Sequence, residues 1–492
     1  YPLAGANIVL KGTTTGTVSD TNGEFSINLY DSLETIVVSF VGFTTETIDC
    51  AGRSIVDVAM RVDPTQLAEI VITALGLEKE RDKVGSSTVR IAGESVVKSG
   101  EPTLINGLSG KSSGLLISRT SGDPGSGSYI QIRGQGSISA SVQPLIVVDG
   151  VPVYNSNIGS YGGGVVQQSR LNDLNPHDIE SIEVVKGASA SALWGTRAGN
   201  GVIVIKTKKG SGLANKLSVS YSGTYGVDRI LARHPLQRTW GQGISGYYYT
   251  GVFSNGAGWP YSYGDKIANR SGEDDIVVSD PNDPDYIGYF LTSQGKKVYP
   301  IVETTFDPNA PPNGGKNSVA TFDPYEALFD GGHTLDQSLS ISGGSRDNSY
   351  YFSIADLNQE GLAKANSNYR RTSVRINSNR QFNDWIGIGS TLFFSKITSD
   401  RLQMGNNLSG IFLGGLRTSP DWDNEKGYEG YYVPPSGSFN PNHQLSYRNQ
   451  IGMALNPGYD NPLWTMYNIK NESDVNRFIR TAQLDVNPLQ WL

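Results

Sequence analysis

From about residue 216 onward, the sequence alternates apolar and polar residues with a period of two. The clearest run sets Leu217, Val219, Tyr221 and Tyr225 against Ser218, Ser220, Ser222 and Thr224. Further runs of this kind lie at about 335–342, 349–357, 369–378, 385–398 and 475–487. Because successive side chains of a strand point to opposite faces, each run predicts a strand with one apolar and one polar face. An apolar outer face and a polar inner face are typical of a membrane β-barrel with a wet lumen.

The connections between these six runs differ in length in a regular way. They are long (about 226–333), short (343–348), medium (357–368), short (380–384) and long (about 399–474), and 487–489 follows the last run. Outer-membrane barrels combine long extracellular loops with short periplasmic turns. A soluble β-sandwich or an adhesin array also alternates but has no reason to sort its loops, so the pattern favours a barrel.

Six strands are too few to close a barrel around a domain as large as the one that precedes them, which needs about 22 strands. We therefore expect that the chain is incomplete at its C-terminus or that other segments complete the wall. Tyr1-Pro2-Leu3 has neither the basic start nor the apolar run of a signal peptide. The sequence reads as if it starts within a domain, so we expect the N-terminus to be incomplete as well.

The composition excludes several classes of protein. Mean hydropathy is -0.31, and no run approaches the ~18 consecutive apolar residues that indicate a transmembrane helix. The net charge of -7 argues against a nucleic-acid partner, since a phosphate-binding domain is clearly basic. Cys50 is the single cysteine, so an internal disulfide is impossible.

Two domains are predicted ahead of the barrel strands. Residues 1–62 contain short strand-like runs separated by Asn-Gly and similar turns, which predict a small β-sandwich. Residues 82–210 are glycine-rich and predict a mixed α+β domain with short helical turns at 104–108 and 189–194. Its strands are predicted at 129–133, 145–149, 182–186 and 202–205, where near-continuous apolar runs indicate burial on both faces. The predicted fold class is therefore all-β dominated.

The linker between these domains, 63–81, carries a strand-forming peptide. Its residues are Glu69, Ile70, Val71, Ile72, Thr73 and Ala74, most of them β-branched or small. Such a peptide can add as an extra strand to the sheet edge of another protein. By composition alone, the last strand of the first domain is the better interpretation. Its position ahead of a glycine-rich domain and a barrel favours the strand-adding role.

Four stretches of the sequence resemble known families. Residues 2–13 closely resemble the carboxypeptidase-regulatory-like domain, which is not catalytic. Residues 130–134 through 143–153, residues 179–190 through 194–203, and residues 327–329 with 338–344 resemble the SusC-like branch of TonB-dependent outer-membrane transporters from Bacteroidetes. The resemblance covers most of the chain and is weakest in the two long loops.

This resemblance implies a domain order and a set of site residues. It implies a regulatory-like domain at 1–62, a linker with the TonB box Glu69 to Ala74 at 63–81, a plug domain at 82–210, and the first barrel strands at 211–492. The residues that match the plug motifs are Arg133, Gly134, Asp149, Gly150, Lys186 and Gly187. No catalytic, cofactor or metal residues are implied.

The family further implies a function and partners. Its members import oligosaccharides or peptides across the outer membrane with energy delivered by TonB, and a SusD-like surface lipoprotein lids the extracellular mouth. The plug and N-terminal domain would face the periplasm. A siderophore receptor remains an alternative within transport, and a surface β-protein or adhesin without transport remains an alternative outside it. An enzyme is the least favoured class, because no nucleophile, base or metal ligands converge.

Several local patterns imitate binding sites. Gly110-Lys111-Ser112 ends like a phosphate-binding loop, but Ile105 stands where that pattern needs glycine. The acidic clusters 421–425 and 280–285 lack EF-hand spacing, and solvated loop acids are the favoured interpretation. The histidines are scattered, which argues against catalytic zinc: His177, His234, His333 and His443.

Two further hypotheses concern charges and aromatic residues. Arg133 and Asp149 interrupt apolar strands, and buried charges need partners. Either they form ion pairs that tie the plug to the barrel wall, or each lies at a plug edge in water; the sequence leaves both open. The aromatic loop could stack on sugar rings or pack internally, and packing is favoured: Tyr247, Tyr248, Tyr249, Trp259, Tyr261 and Tyr263.

Overall fold

The fold is dominated by β-strands and is built from three successive parts. The computed structural model describes all residues except 1, 4, 12, 14, 29–34, 41–42, 51–52, 62–69, 73–77, 81–86, 135–142, 154–156, 159–163, 188–193, 211–216, 251–260, 287, 292–294, 304–307, 346, 384, 406–407, 427, 429–430, 434–437, 441–443, 448–458 and 487–492. None of the described helices is long and apolar enough to cross a membrane.

The N-terminal module is a four-stranded antiparallel sheet. Its strands are β1 (Asn7–Leu10), β2 (Gly16–Val18), β3 (Thr35–Ser39) and β4 (Glu46–Asp49), in the order β2-β1-β3-β4. Alternate residues of β1 and β3 are buried in one core with Cys50, and partly buried residues of the following segment, Val56, Val58 and Met60, pack on it. Further along the chain, β5 (Ile70–Ile72) and β6 (Glu78–Glu80) form a separate hairpin.

The middle domain, residues 87–207, has a five-stranded mixed sheet in the order β11-β10-β15-β14-β7. The elements are β7 (Ser87–Ala92), α1 (Gly93–Val97), β8 (Leu115–Arg119), β9 (Ser128–Ile132), β10 (Leu145–Val148), β11 (Val151–Val153), β12 (Asn157–Ile158), β13 (Gln168–Ser169), β14 (Ile179–Lys186) and β15 (Val202–Thr207). Only β10 and β15 pair in parallel within that sheet.

Burial in the middle domain follows the apolar runs. Strands β14 and β15 are buried along nearly their whole length, because one face lies against the main core and the other against a second cluster around Val147 and Val202. The predicted double-sided burial is therefore confirmed for these strands. A 3-10 turn at Asn106–Leu108 confirms one predicted helical turn. Most of the other, 189–194, lies outside the described residues.

The third part contains a six-stranded antiparallel sheet in which neighbours along the chain pair in order. Its strands are β16 (Ser218–Asp228), β21 (Gly332–Gly344), β22 (Asn348–Glu360), β23 (Asn368–Asn383), β24 (Ile386–Asp400) and β27 (Glu472–Val486). The pairing continues without a break from the first strand to the last, apart from one irregularity at Gln381. All six predicted strands are confirmed.

The two faces of this sheet differ as the alternation predicts. Its outer face exposes large apolar side chains, among them Val219, Tyr221, Tyr225, Leu335, Leu339, Ile354, Ile376, Ile388, Phe394, Phe478 and Leu484. Its inner face buries mainly small polar and charged side chains, among them Ser338, Ser353, Arg371, Ser373, Arg375, Asn377, Ser395 and Ser399. A sheet that exposes its apolar face and buries its polar face is the arrangement of a membrane barrel wall around polar contents.

The two long loops carry short elements of their own. These are β17 (Gly243–Ile244), β18 (Tyr247–Tyr248), β19 (Phe290–Leu291), β20 (Lys297–Val298), α2 (Pro324–Leu328), α3 (Ile411–Arg417), β25 (Tyr431–Val433), β26 (Ser438–Asn440) and α4 (Pro462–Asn468). A small sheet in the order β20-β19-β25-β26 joins the first long loop to the second. Two segments that are far apart in sequence thus form one layer at the same end of the six-stranded sheet.

Candidate functional site

The inner face of the six-stranded sheet holds the middle domain through buried charges. Arg375 of β23 is 2% exposed, and its Nε lies 3.4 Å from Oδ2 of Asp178. Its Nη1 lies 3.6 Å from Oδ2 of Asp149, and the guanidinium also covers the ring of Phe393 at 4.7 Å. One wall cation therefore neutralises two carboxylates of the middle domain, as charges at this depth require.

Both carboxylates are oriented by further hydrogen bonds. Asp178 ends a 3-10 turn capped by the side chain of Asn175, and it accepts hydrogen bonds from Tyr351 Oη at 3.1 Å and Ser353 Oγ at 2.5 Å. Asp149 accepts from the backbone N–H of Thr207 at 2.9 Å and from its Oγ1 at 2.7 Å. Asp178 thus binds the wall directly, whereas Asp149 also braces its own domain.

A second set of contacts uses backbone carbonyls of the middle domain. Nη1 of Arg371, a residue only 1% exposed, donates to the carbonyls of Asn172 at 2.8 Å and Leu174 at 2.9 Å. Tyr369 Oη donates to the carbonyl of Asn172 at 3.0 Å. Nη1 of Arg477 in β27 donates to the carbonyl of Arg170 at 2.7 Å and also to the carboxylate of Asp173 at 3.1 Å. Apart from the Asp173 carboxylate, the acceptors are main-chain carbonyls, so most of these contacts fix the segment without requiring particular side chains in it.

The predicted motif residues are divided between two places. Asp149 has φ 47° and Gly150 has φ 83°, so they form the two-residue turn between β10 and β11 that favours Asp-Gly. Asp149 forms the predicted ion pair with the wall, through Arg375. Arg133, with φ 57°, is exposed beside Gly134, with φ 94°, and forms no ion pair within the described part of the chain. For Arg133 the alternative, an edge position in water, is what the structure shows.

The other two motif residues lie close to Arg133. Lys186 is 6% exposed, and its Nζ lies 3.3 Å from Ser113 Oγ. Gly187 has φ 95°, and a Cβ there would lie 3.4 Å from Nη1 of Arg133. These positions show a tight turn packed beneath the Arg133 side chain; a role in transport for the motif residues stays a prediction.

The predicted strand-adding peptide is described only in part. Ile70, Val71 and Ile72 form β5 and pair with Glu80, Lys79 and Glu78 of β6. Glu69, Thr73 and Ala74 lie outside the described residues. An isolated two-stranded hairpin is marginally stable in water, so this pairing leaves the peptide open to exchange of partners.

The sequence analysis did not identify Arg371, Arg375 or Asp178. The signal for the two arginines was available: both lie at inward positions of the 369–378 run, where a long cation on a face of small polar residues indicates a buried partner. Asp178 gave no such signal, because Asn175-Pro176-His177-Asp178 reads as an ordinary capped turn. Its burial follows only from the packing of that turn on the wall.

Near the layer that the two long loops form (the loop layer), Asp123 joins the middle domain to the turn between β22 and β23. Ser367 Oγ donates to Oδ1 of Asp123 at 2.5 Å, and Oδ2 is buried without a partner among the described residues. Burial raises the pKa of Asp123 to about 6, although hydrogen bonds from Ser367 and the Leu402 backbone act to lower it. Alongside, the Val166 N–H donates to the carbonyl of Leu402 at 3.1 Å.

The loop layer is held together by a buried ion triad. Arg270, whose side chain has no exposed surface, donates to both carboxylate oxygens of Asp265 at 2.7 Å and to Asp421 at 2.9 Å. The interpretation of the 421–425 cluster as solvated loop acids is wrong for Asp421, which is buried and pairs with Arg270. The acids Asp280 and Asp283 accept local backbone N–H groups. No group of three potential metal ligands occurs within the described ranges.

The aromatic loop is partly packed, as the sequence analysis favoured. Tyr248 is 2% exposed and lies under the Arg270 guanidinium, with 5.9 Å between that group and the ring centroid. The ring centroids of Tyr261 and Tyr263 lie 5.2 Å apart, but roughly half of the surface of each residue stays exposed. Trp259 lies outside the described residues.

Comparison with known proteins assigns these parts. Residues 79–202 match the TonB-dependent Receptor Plug Domain, and residues 1–72 match the CarboxypepD_reg-like domain. The TonB-dependent receptor SusC of Bacteroides thetaiotaomicron is 30% identical over 376 residues, covering 76% of this chain and 30% of that receptor. The TonB-dependent receptor P26 of Formosa agariphila is 26% identical over 491 residues, covering 100% of this chain and 40% of that receptor.

Among solved structures, the RagAB peptide importer in its open-open state aligns with a TM-score of 0.56 at 22% identity, over 86% of this chain and 41% of that chain. This likeness shows a shared fold. The chain spans less than half the length of these relatives. The middle domain is the plug, and the six-stranded sheet is part of the barrel wall that holds it. The chain belongs to the TonB-dependent receptors of the SusC type.

Proposed function

We propose that this protein imports large nutrients, oligosaccharides or peptides, across the outer membrane with energy supplied by TonB. The observation that carries the proposal is the plug held on the polar face of a sheet whose other face is apolar and exposed. Such a sheet separates lipid from a polar path, and the plug blocks that path until it moves. The chain acts as a transporter and not as an enzyme.

The linker supplies the point at which force is applied. Residues 69–74 are the TonB box in this proposal, and their main chain pairs with a strand of TonB in the periplasm. Force along the linker first reaches β7, an edge strand of the plug sheet whose one partner among the described strands is β14. Loss of β7 opens the plug sheet at this edge while the Arg375 contacts still hold the rest.

The remaining parts follow from this orientation. The plug and the N-terminal module face the periplasm, and the barrel spans the outer membrane. The layer formed by the two long loops then lies outside the cell, at the opposite end of the strands from the short turns. A SusD-like lipoprotein covers this layer and helps to capture the nutrient.

The test is a change of the box that spares the fold. In the full-length protein, Val71→Pro removes a main-chain N–H that strand addition needs, whereas Val71→Ile keeps it. We expect Val71→Pro and deletion of 69–74 to abolish nutrient-dependent growth and binding of the purified TonB C-terminal domain. Val71→Ile should retain both. Normal growth of the deletion strain, with the protein still in the outer membrane, would refute the proposal.

A further inference from the structure

A cavity of about 340 Å³ opens between the two long loops. The first loop contributes most of its wall and the second contributes one side, so the ion triad of Arg270 with Asp265 and Asp421 fixes its shape. This volume lies in the range of small-ligand sites. Its apolar lining includes Val277, Val298 and Ile301.

Two charged residues of the cavity lining, Lys316 and Asp275, neutralise each other. Nζ of Lys316 lies 2.8 Å from Oδ2 of Asp275, and the backbone N–H of Ser318 donates to the other oxygen at 2.8 Å. Burial acts to raise the pKa of Asp275, but the hydrogen bonds and charge of Lys316 and the Ser318 N–H outweigh it, so the pKa is lowered. A ligand group beside this pair therefore needs no charge of its own.

The aromatic rings of the cavity are partly occupied by other groups. Lys426 Nζ lies 6.0 Å from the ring centroid of Phe322, and Tyr299 packs against Tyr289 with 5.7 Å between centroids. Val277, Val298 and Ile301 form an aliphatic part of the cavity wall. An aliphatic side chain fits such a wall.

The segment of the first loop that contributes Asp275 and Val277 to the cavity lining is acidic. The segment 271–286 contains Asp275 in the cavity and five other carboxylates that are exposed, with no lysine or arginine: Glu273, Asp274, Asp280, Asp283 and Asp285. The Lys316 ammonium pairs with Asp275, and the Lys297 ammonium lies 4.3 Å from the ring centroid of Tyr289. Negative charge next to an apolar cavity attracts a ligand that carries positive charge beside an apolar group.

We propose that this cavity binds an aliphatic side chain of a nutrient peptide whose neighbouring residues are basic, before the peptide enters the barrel. The inference rests on the proposed import function and names the chemical class that the loop layer captures. The apolar wall supplies burial of the side chain, and the acidic segment 271–286 selects its flanking lysine or arginine residues.

The experiment measures equilibrium binding to the full-length protein, purified with its lipoprotein partner in detergent. The probe is the dye-labelled peptide Gly-Lys-Leu-Lys-Gly, compared with Gly-Glu-Leu-Glu-Gly and Gly-Lys-Ser-Lys-Gly. We expect at least tenfold weaker binding of both comparison peptides. Ala320→Trp, at an exposed lining position, should weaken the first peptide at least tenfold by filling the cavity. Ala268→Trp, at an exposed position of the same loop away from the lining, should leave binding unchanged.

The outcomes separate this inference from the import function. Equal binding to the Ala320→Trp and unaltered proteins would overturn it, as would tighter binding of a neutral oligosaccharide that Ala320→Trp abolishes. A loss of lipoprotein co-purification in Ala320→Trp, with peptide binding retained, would instead identify the cavity as a protein contact and also overturn it. Val71→Pro should bind the peptide normally, because binding precedes the step that needs TonB.

Discussion

The guanidinium of Arg375, in the barrel wall, lies 3.4 Å from the carboxylate of Asp178 in the plug, and both side chains are almost fully buried. Because Tyr351 and Ser353 also donate to Asp178, wall groups from two strands meet on one plug carboxylate. A contact of this kind resists separation yet contains no covalent bond, so it can be broken and formed again.

Replacing Arg375 by methionine should loosen the plug. The change leaves Asp178 and Asp149 without their cation, and breaking a buried pair by removing one partner costs about 3–5 kcal/mol. We expect faster protease cleavage of the plug and greater entry of large antibiotics into cells. Arg370→Gln is the matched control on the same strand, because its pair with Asp356 is exposed and worth about 0–1 kcal/mol. Equal plug protection in both variants would contradict the prediction.

Gly125 should not tolerate a side chain. It has φ +66°, and an added Cβ would lie 2.2 Å from Cδ2 of Tyr369, whose ring is buried in the wall. Overpacking costs about 1–3 kcal/mol and the left-handed backbone about 1–2 more for a residue other than glycine. Gly125→Ala should therefore lower the melting temperature and increase hydrogen exchange at 120–127. Gly122→Ala, which meets open space, should change neither.

The sequence predicted the elements better than the contacts between them. Period-two alternation located all six wall strands and their faces, because each strand's faces are determined by its own residues. The pairing of Arg375 with Asp178 joins positions 197 residues apart, and no local pattern specifies such a partner. Strand β6 was not predicted because Glu78-Lys79-Glu80 has no strand preference; its pairing with β5 supplies the extended conformation.

The contact at Asp123 should strengthen as the pH falls. Its carboxyl has a folded pKa of about 6 against an ordinary 3.8, so the folded state binds a proton more tightly than the unfolded state. Stability therefore increases from about pH 6 down to about pH 4, by at most about 3 kcal/mol, and this contribution is lost above pH 6.

Asp123→Asn removes that titration while it keeps an oxygen for Ser367. We expect the variant to be more stable than the unaltered protein at pH 7.5 and about equal at pH 4.5, measured as the difference in melting temperature at each pH. Asp285→Asn, at an exposed acid in the loop layer, should show no such pH-dependent difference. A constant difference for Asp123→Asn across this range would refute the assignment.

Arg270 should determine whether the two long loops form one layer. It is the cation between Asp265 and Asp421. Burial acts to lower the pKa of Arg270, but its hydrogen bonds to both acids and their negative charges outweigh burial and raise that pKa above the ordinary arginine value, so it stays charged. Arg270→Met leaves two buried carboxylates unpaired and should destabilise the layer by about 3–5 kcal/mol. Hydrogen exchange should then rise in both loops together, since each supplies one acid, while the six wall strands remain protected. Arg233→Gln changes a half-exposed arginine that pairs with Asp323 and should have little effect. If exchange rose in only one loop, the triad would not be what joins them.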